Sequence, residues 1–182
     1  MENTDPIAAG KVGWHALYTR HQHEKVVARL LRDKQFEIFL PLYNVARRWK
    51  DRIKQLSLPL FPCYVFIWGG LDRRLDIVTT PGFYRFVAVG NQPAVIPPAE
   101  IEAIRQALVQ GSRVEPHPFL KSGDLVRIKS GPLEGIEGIL VRKKNSYRLV
   151  LSVELLQKSV AVEVDASMVE RVAGRSGAAS AA

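Results

Sequence analysis

The stretch Leu58-Pro59-Leu60-Phe61-Pro62-Cys63-Tyr64-Val65-Phe66-Ile67-Trp68 constrains the fold more than any other part of the chain. Two prolines bracket Leu60-Phe61, and a solid apolar run follows. Each proline removes a backbone donor and fixes φ, so a rigid, extended lead-in to a strand is expected. Val65 to Trp68 are β-formers without charge on either face, which suits a central strand covered on both sides. Phe61 and Tyr64 flank Pro62 at the strand entrance, where one face is often open. Core packing and a protein-docking spot are both open to this pair, packing being the stronger reading from the stretch alone.

The segments before this strand supply its neighbours. Trp14 to Thr19 alternates, with Trp14, Ala16 and Tyr18 on one face and His15 and Leu17 on the other. After a polar turn, Val26, Val27, Leu30 and Leu31 recur at helical spacing between Glu24 and Lys34, opposite a basic face. Residues 37–45 read as a second strand, broken or edge-like at Pro41. Residues 46–54 carry five positive charges against one negative, and with the stretch that follows they suggest a long antiparallel hairpin with a basic tip. A short helix around Leu71 to Val78, a strand over 83–90 and a helix over 99–109 complete an antiparallel sheet with flanking helices.

Residues 111–118 are polar, hold a glycine and two prolines, and read as a linker. Beyond Phe119 the pattern changes to short alternating strands separated by glycines, as in a small β-barrel. The expected organisation is therefore α+β: an antiparallel sheet domain over 13–110, a linker over 111–118, a barrel over 119–172, and flexible tails at 1–12 and 173–182.

Charge narrows the partners. The net charge is +8 and the isoelectric point near 9.8, which favours polyanions such as nucleic acid. Cys63 is the only cysteine, so neither an intramolecular disulfide nor a cysteine-rich zinc site can form. No apolar run approaches the length of about 20 residues that a membrane span needs, and a cytoplasmic monomer is expected. His21-x-His23 has no acidic or cysteine partner at metal-ligand spacing. No phosphate loop or nucleophile elbow is present. The reading is a protein that is not an enzyme, with no metal and no cofactor.

Gly123-Asp124-Leu125-Val126-Arg127-Ile128-Lys129-Ser130-Gly131-Pro132-Leu133-Glu134-Gly135-Ile136-Glu137-Gly138 folds two strands onto each other through turns at Gly131-Pro132 and the later glycines. This spacing resembles the KOW motif of SH3-like barrels in transcription elongation factors and some ribosomal proteins. Upstream, Trp14 to Tyr18, Glu24-Lys25-Val26, Phe61 to Phe66 and Thr80-Pro81-Gly82-Phe83 resemble, in order, the signatures of the NusG N-terminal (NGN) domain. The chain is identified as resembling the NusG family over roughly residues 13–172. Within the family, Pro59 to Pro62 and Phe86 to Pro97 look closer to the specialised RfaH and UpxY-type antiterminators than to housekeeping NusG.

The resemblance implies a transcription elongation and antitermination factor. Its N-terminal domain would dock on the clamp helices of the RNA polymerase largest subunit and suppress pausing. Phe61 and Tyr64 match the family's docking aromatics; Val65 and Phe83 are neighbours for which core packing is an equal alternative. Arg20, His21, His23 and Lys25 fall where the specialised paralogues read non-template DNA, and Arg47, Arg48, Lys50, Arg52 and Lys54, on the hairpin tip, could face upstream DNA. A solvated basic surface is the equal alternative for both groups. Pro81 stands where RfaH has a basic residue, which argues against recognition of its kind. The barrel would contact Rho or a small-subunit ribosomal protein through Leu155, Leu156, Gln157 and Lys158. Leu58 replaces a glutamate that pins the barrel of RfaH as helices, and Ser159 to Asp165 is rich in β-branched residues, so a constitutive barrel is expected. The competing reading is a general RNA- or ribosome-binding KOW protein without polymerase binding.

Overall fold

The computed structural model describes residues 12–49, 52–120, 123–143 and 146–172. The predicted tails lie outside these residues, apart from Val12, as does Lys50 of the predicted hairpin tip. The chain forms two compact units. One comprises the residues up to Leu42 together with Phe61–Pro98, and the other Tyr43–Leu60 together with the residues from Ala99 onward.

In the first unit the elements run β1 (Gly13–Thr19), α1 (Glu24–Asp33) and β2 (Glu37–Phe39). β3 (Leu42–Trp49) and β4 (Arg52–Pro59) pair with each other as a two-stranded ribbon. The first unit resumes with β5 (Tyr64–Gly69), α2 (Arg74–Val78), β6 (Phe83–Phe86), β7 (Ala88–Val89), β8 (Gln92–Pro93) and β9 (Val95–Ile96). Its main sheet has the order β2-β5-β1-β6, and β9 pairs with β1 beside β6. β5 and β1 are antiparallel with Trp14 opposite Trp68, Ala16 opposite Phe66, and Tyr18 opposite Tyr64.

This register sorts the side chains into two faces, because neighbours along a strand point to opposite sides. Leu17, Val65 and Ile67 form one core with Val27, Ala28 and Leu31 of α1, Ile77 of α2, and Phe86. Full burial of each Val, Leu, Ile or Phe side chain among them contributes about 1.5–3 kcal/mol of transfer free energy. The opposite face is aromatic. Trp14 packs on Trp68 and Phe39, and Phe66 contacts Phe39 and Phe61. α1 buries Val27, Ala28 and Leu31, whereas Val26, counted in the predicted apolar stripe, is exposed.

The proline-bracketed lead-in is a correction. Residues 61–64 make a tight turn rather than an extended entry: the Tyr64 N–H donates to the Phe61 carbonyl at 3.1 Å, and Cys63 has φ of 68°. Proline at the second position with positive φ at the third is the type II arrangement. Pro62 fixes the first half of that turn instead of extending the chain.

In the second unit, α3 (Pro98–Val109) precedes β10 (Val114–His117), β11 (Asp124–Ile128), β12 (Glu137–Lys143), β13 (Ser146–Val153), β14 (Lys158–Val164) and β15 (Val169–Arg171). These strands form one antiparallel sheet, β10-β14-β13-β12-β11-β15. The glycine-rich motif makes the β11–β12 connection. A Cβ on Gly138 would lie 2.6 Å from the Val150 carbonyl oxygen of neighbouring β13, so only glycine fits without a shift. Residues 111–118, expected as linker, carry β10: Val114 is buried, pairs with Val162, and is followed by Glu115, which forms an ion pair with Arg148. A single buried valine between polar residues gives no visible period, and the strand exists because β14 offers a free edge.

Candidate functional site

The predicted docking residues separate into interior and surface. Phe61 is 1% exposed and Val65 is fully buried. The 61–64 turn directs Phe61 inward, edge-on to Phe66 with ring centroids 5.6 Å apart. Neither side chain reaches the surface, which corrects the expected contact role of Phe61 and leaves Val65 with core packing, the alternative given for it. Phe83 is half-buried, rests against the α1 core and contacts Phe86 at 5.2 Å.

Tyr64 remains accessible. It lies opposite Tyr18 across β5 and β1, with ring centroids 5.3 Å apart. Tyr18 in turn meets Tyr84 of β6 at 5.9 Å, and the Arg85 guanidinium lies 5.5 Å from the Tyr18 ring centre. Three adjacent strands thus carry a row of three tyrosines, of which Tyr84 is largely exposed. The row continues the aromatic face from its closed part, Trp14, Phe66 and Phe61, to an open end. Burial pushes the Tyr64 phenol above its ordinary range, the neighbouring Tyr18 adds to this, and Arg85 opposes it. Its hydroxyl is therefore neutral near pH 7, and the row presents apolar rings with polar tips, a composition enriched at interfaces. The sequence reading missed Tyr18, Tyr84 and Arg85 as members of this surface. Alternation put Tyr18 on a face, but only the register with β5 places it against Tyr64.

The basic turn adjoins the open end of the row. Arg20, His21, His23 and Lys25 are exposed, immediately after Tyr18-Thr19. Three backbone segments are tied together here. The Thr19 N–H donates to Cys63 O at 2.8 Å, and the Arg20 N–H donates to Gly82 O at 2.9 Å. Buried Glu24 accepts from the Cys63 N–H at 2.6 Å. His21 Nδ1 lies 3.8 Å from Cys63 Sγ, and His23 Nδ1 lies 2.9 Å from the His21 carbonyl oxygen. A Cβ on Gly82, whose φ is 93°, would stand 3.0 Å from His23 Cβ. Both imidazoles thus have a polar contact within the turn. Among the described residues, no three His, Cys, Asp or Glu side chains come together as a metal site.

Arg47 and Arg48 are exposed on β3. In the second unit, Glu154–Leu156 forms a 3-10 turn before β14. Leu156 is buried, so its expected contact role is corrected: its side chain fills the interior. Leu155 is half-buried, and Gln157 and Lys158 are exposed, Gln157 in the left-handed conformation with φ of 51°. The Gln157 N–H and Nε2 both donate to Glu154 O, at 3.0 and 2.8 Å. No helix is long and apolar enough to cross a membrane among the described residues.

The chain thus combines a helix-flanked antiparallel sheet, with an aromatic row open to solvent, and a small β-unit. The same architecture is seen in the structure "Domain interaction in Thermotoga maritima NusG", with a TM-score of 0.55 and 21% identity, covering 89% of this chain and 98% of that one. The family model "Transcription termination factor nusG" matches residues 13–105, and the chain belongs to the NusG family. Similar relatives are each named transcription termination/antitermination protein NusG. That of Helicobacter pylori strain 26695 is 26% identical over 174 residues, covering 87% of this chain and 98% of the relative. That of Thermus thermophilus is 27% identical over 179 residues, covering 87% and 97%. That of Escherichia coli strain K12 is 26% identical over 140 residues, covering 74% and 77%.

Proposed function

We propose that this chain is a transcription elongation factor of the specialised antiterminator kind. It binds the clamp helices of the RNA polymerase largest subunit and suppresses pausing. The observation that carries this reading is the Tyr18-Tyr64-Tyr84 row, an apolar surface on three adjacent strands in a family whose curated relatives act in transcription. Rings fixed by a sheet make good anchors, because little side-chain freedom is lost when they are covered. Phe61 and Val65 support the row from inside, and Phe83 buttresses the strand that carries Tyr84. Arg20, His21, His23 and Lys25 lie beside the docking face and contact the exposed non-template strand, where cations give affinity and imidazole edges some choice of base. The C-terminal β-unit recruits Rho or a small-subunit ribosomal protein through Leu155, Gln157 and Lys158.

The test is co-elution with core RNA polymerase, followed by transcription through a pause site and a Rho-dependent terminator. Truncating a central aromatic anchor costs about 2 kcal/mol or more. Tyr64→Ala is thus expected to fold and to bind polymerase at least about tenfold more weakly. Undiminished co-elution of Tyr64→Ala would remove the row from the interface. A wild-type chain that binds ribosomes and ignores polymerase would favour the general KOW reading.

A further inference from the structure

The β3–β4 ribbon exposes more apolar surface than its own packing explains. Trp49 is 54% exposed and Ile53 71% exposed, whereas Trp14 is buried in the aromatic face. Lys54 Nζ stands 5.5 Å from the centre of the Trp49 ring. That contact puts Trp49 and Lys54 on the same side of the ribbon. Strand alternation then adds Arg47 beside Trp49 and Arg52 beside Lys54. One side therefore presents an indole among three cations, and Arg48 and Ile53 point to the other. Residues 42–49 and 52–59 hold no carboxylate, and against the cations of 46–54 the sequence sets one, Asp51, which lies outside the described residues.

From this geometry we propose that the Arg47-Trp49-Arg52-Lys54 face binds single-stranded nucleic acid, with an unpaired base stacked on Trp49 and the flanking phosphates held by the three cations. The proposal deepens the nucleic-acid part of the proposed function, rests on that reading, and assigns Trp49 a role nothing in the basic pattern required. Stacking on an aromatic ring needs an unstacked base, which a duplex withholds and a single strand offers. Lys54 Nζ stands over the indole, which keeps 54% of its surface exposed. An acidic protein partner would satisfy the cations but leave the ring in water. Charge and ring together therefore select a single strand over a duplex or an acidic protein.

The experiment uses the full chain and a fluorescein-labelled oligo(dT) of about 12 nucleotides, within the span such proteins cover, followed by anisotropy and by tryptophan emission. The expected result is quenching of emission and tighter binding than to a blunt duplex of equal length. Trp49→Ala should weaken oligo(dT) binding about tenfold, with Trp49→Phe intermediate. Arg47→Gln with Lys54→Gln should lower the salt slope by about 1.4, the value for two single-strand phosphates. Unchanged affinity of Trp49→Ala, a preference for duplex, or capture of poly-glutamate in place of oligo(dT) would each overturn the proposal. The substituted side chains cover no core, so these variants should fold, and co-elution with polymerase separates the two readings. A chain that binds polymerase but not oligo(dT) refutes the stacking site alone. A chain that binds oligo(dT) but not polymerase refutes the docking reading and leaves the site standing.

Discussion

Phe61→Ala distinguishes a structural aromatic from a docking one. The ring is 1% exposed and meets Phe66 edge-on at 5.6 Å. Truncating a buried Phe to Ala costs about 3–5 kcal/mol through lost transfer energy and the cavity left behind. The aromatic pair is worth about 0.5–1.5 kcal/mol beyond area burial. A loss of about 4 kcal/mol is therefore expected. With a urea m-value of about 1.5 kcal/mol/M for a unit of this size, the midpoint should fall by about 2.7 M. Tryptophan emission is the natural probe, since Trp14 and Trp68 both lie in the sheet that Phe61 supports and no tryptophan lies in β10–β15. Binding to polymerase, measured well below the new midpoint, should be reduced far less than in Tyr64→Ala. A Phe61→Ala protein with an unchanged midpoint and abolished polymerase binding would show that the ring works at the surface, and the assignment of the row would fail.

Other residues give independent checks. Glu24→Ala strands the Cys63 N–H that its carboxylate accepts from, and should cost about 1–3 kcal/mol in urea unfolding. Gly138→Ala drives a methyl group into the Val150 carbonyl and should cost about 1–3 kcal/mol in the second unit, read by amide exchange of β12 and β13. Asp165 accepts from the Ser167 N–H at 2.9 Å and from its hydroxyl at 2.8 Å, and these bonds hold its carboxyl below the ordinary 3.8. The cap therefore contributes stability above the unfolded value and loses it as pH falls through the lowered folded value. Carboxyl carbon shifts should show this titration, and Ser167→Ala should move it upward, the hydroxyl bond being the part removed.

Much of the fold was legible because its signals are local. Alternation in Trp14 to Thr19, the 3.6-residue period of α1 and the break at Pro41 each depend on a few neighbouring residues. The parts that were not legible depend on pairing. Phe61 and Tyr64 look alike in sequence, and the positive φ of Cys63 sends one inward and leaves the other at the surface. The tyrosine row needs residues from β5, β1 and β6, brought into line by a register that composition does not encode. β10 sits in a polar segment and becomes a strand because β14 has an unpaired edge. Trp49 read as one more member of a basic run until its contact with Lys54 gave the ribbon a side.

The knot of backbone bonds joining Thr19, Arg20, Cys63 and Gly82 has a kinetic meaning. It ties the ends of three segments together next to the tyrosine row, so in the proposed docking little of that surface has to be organised. Variants of the row should then meet their partner at nearly the same frequency and differ in how long they stay, with residence time carrying the change in affinity.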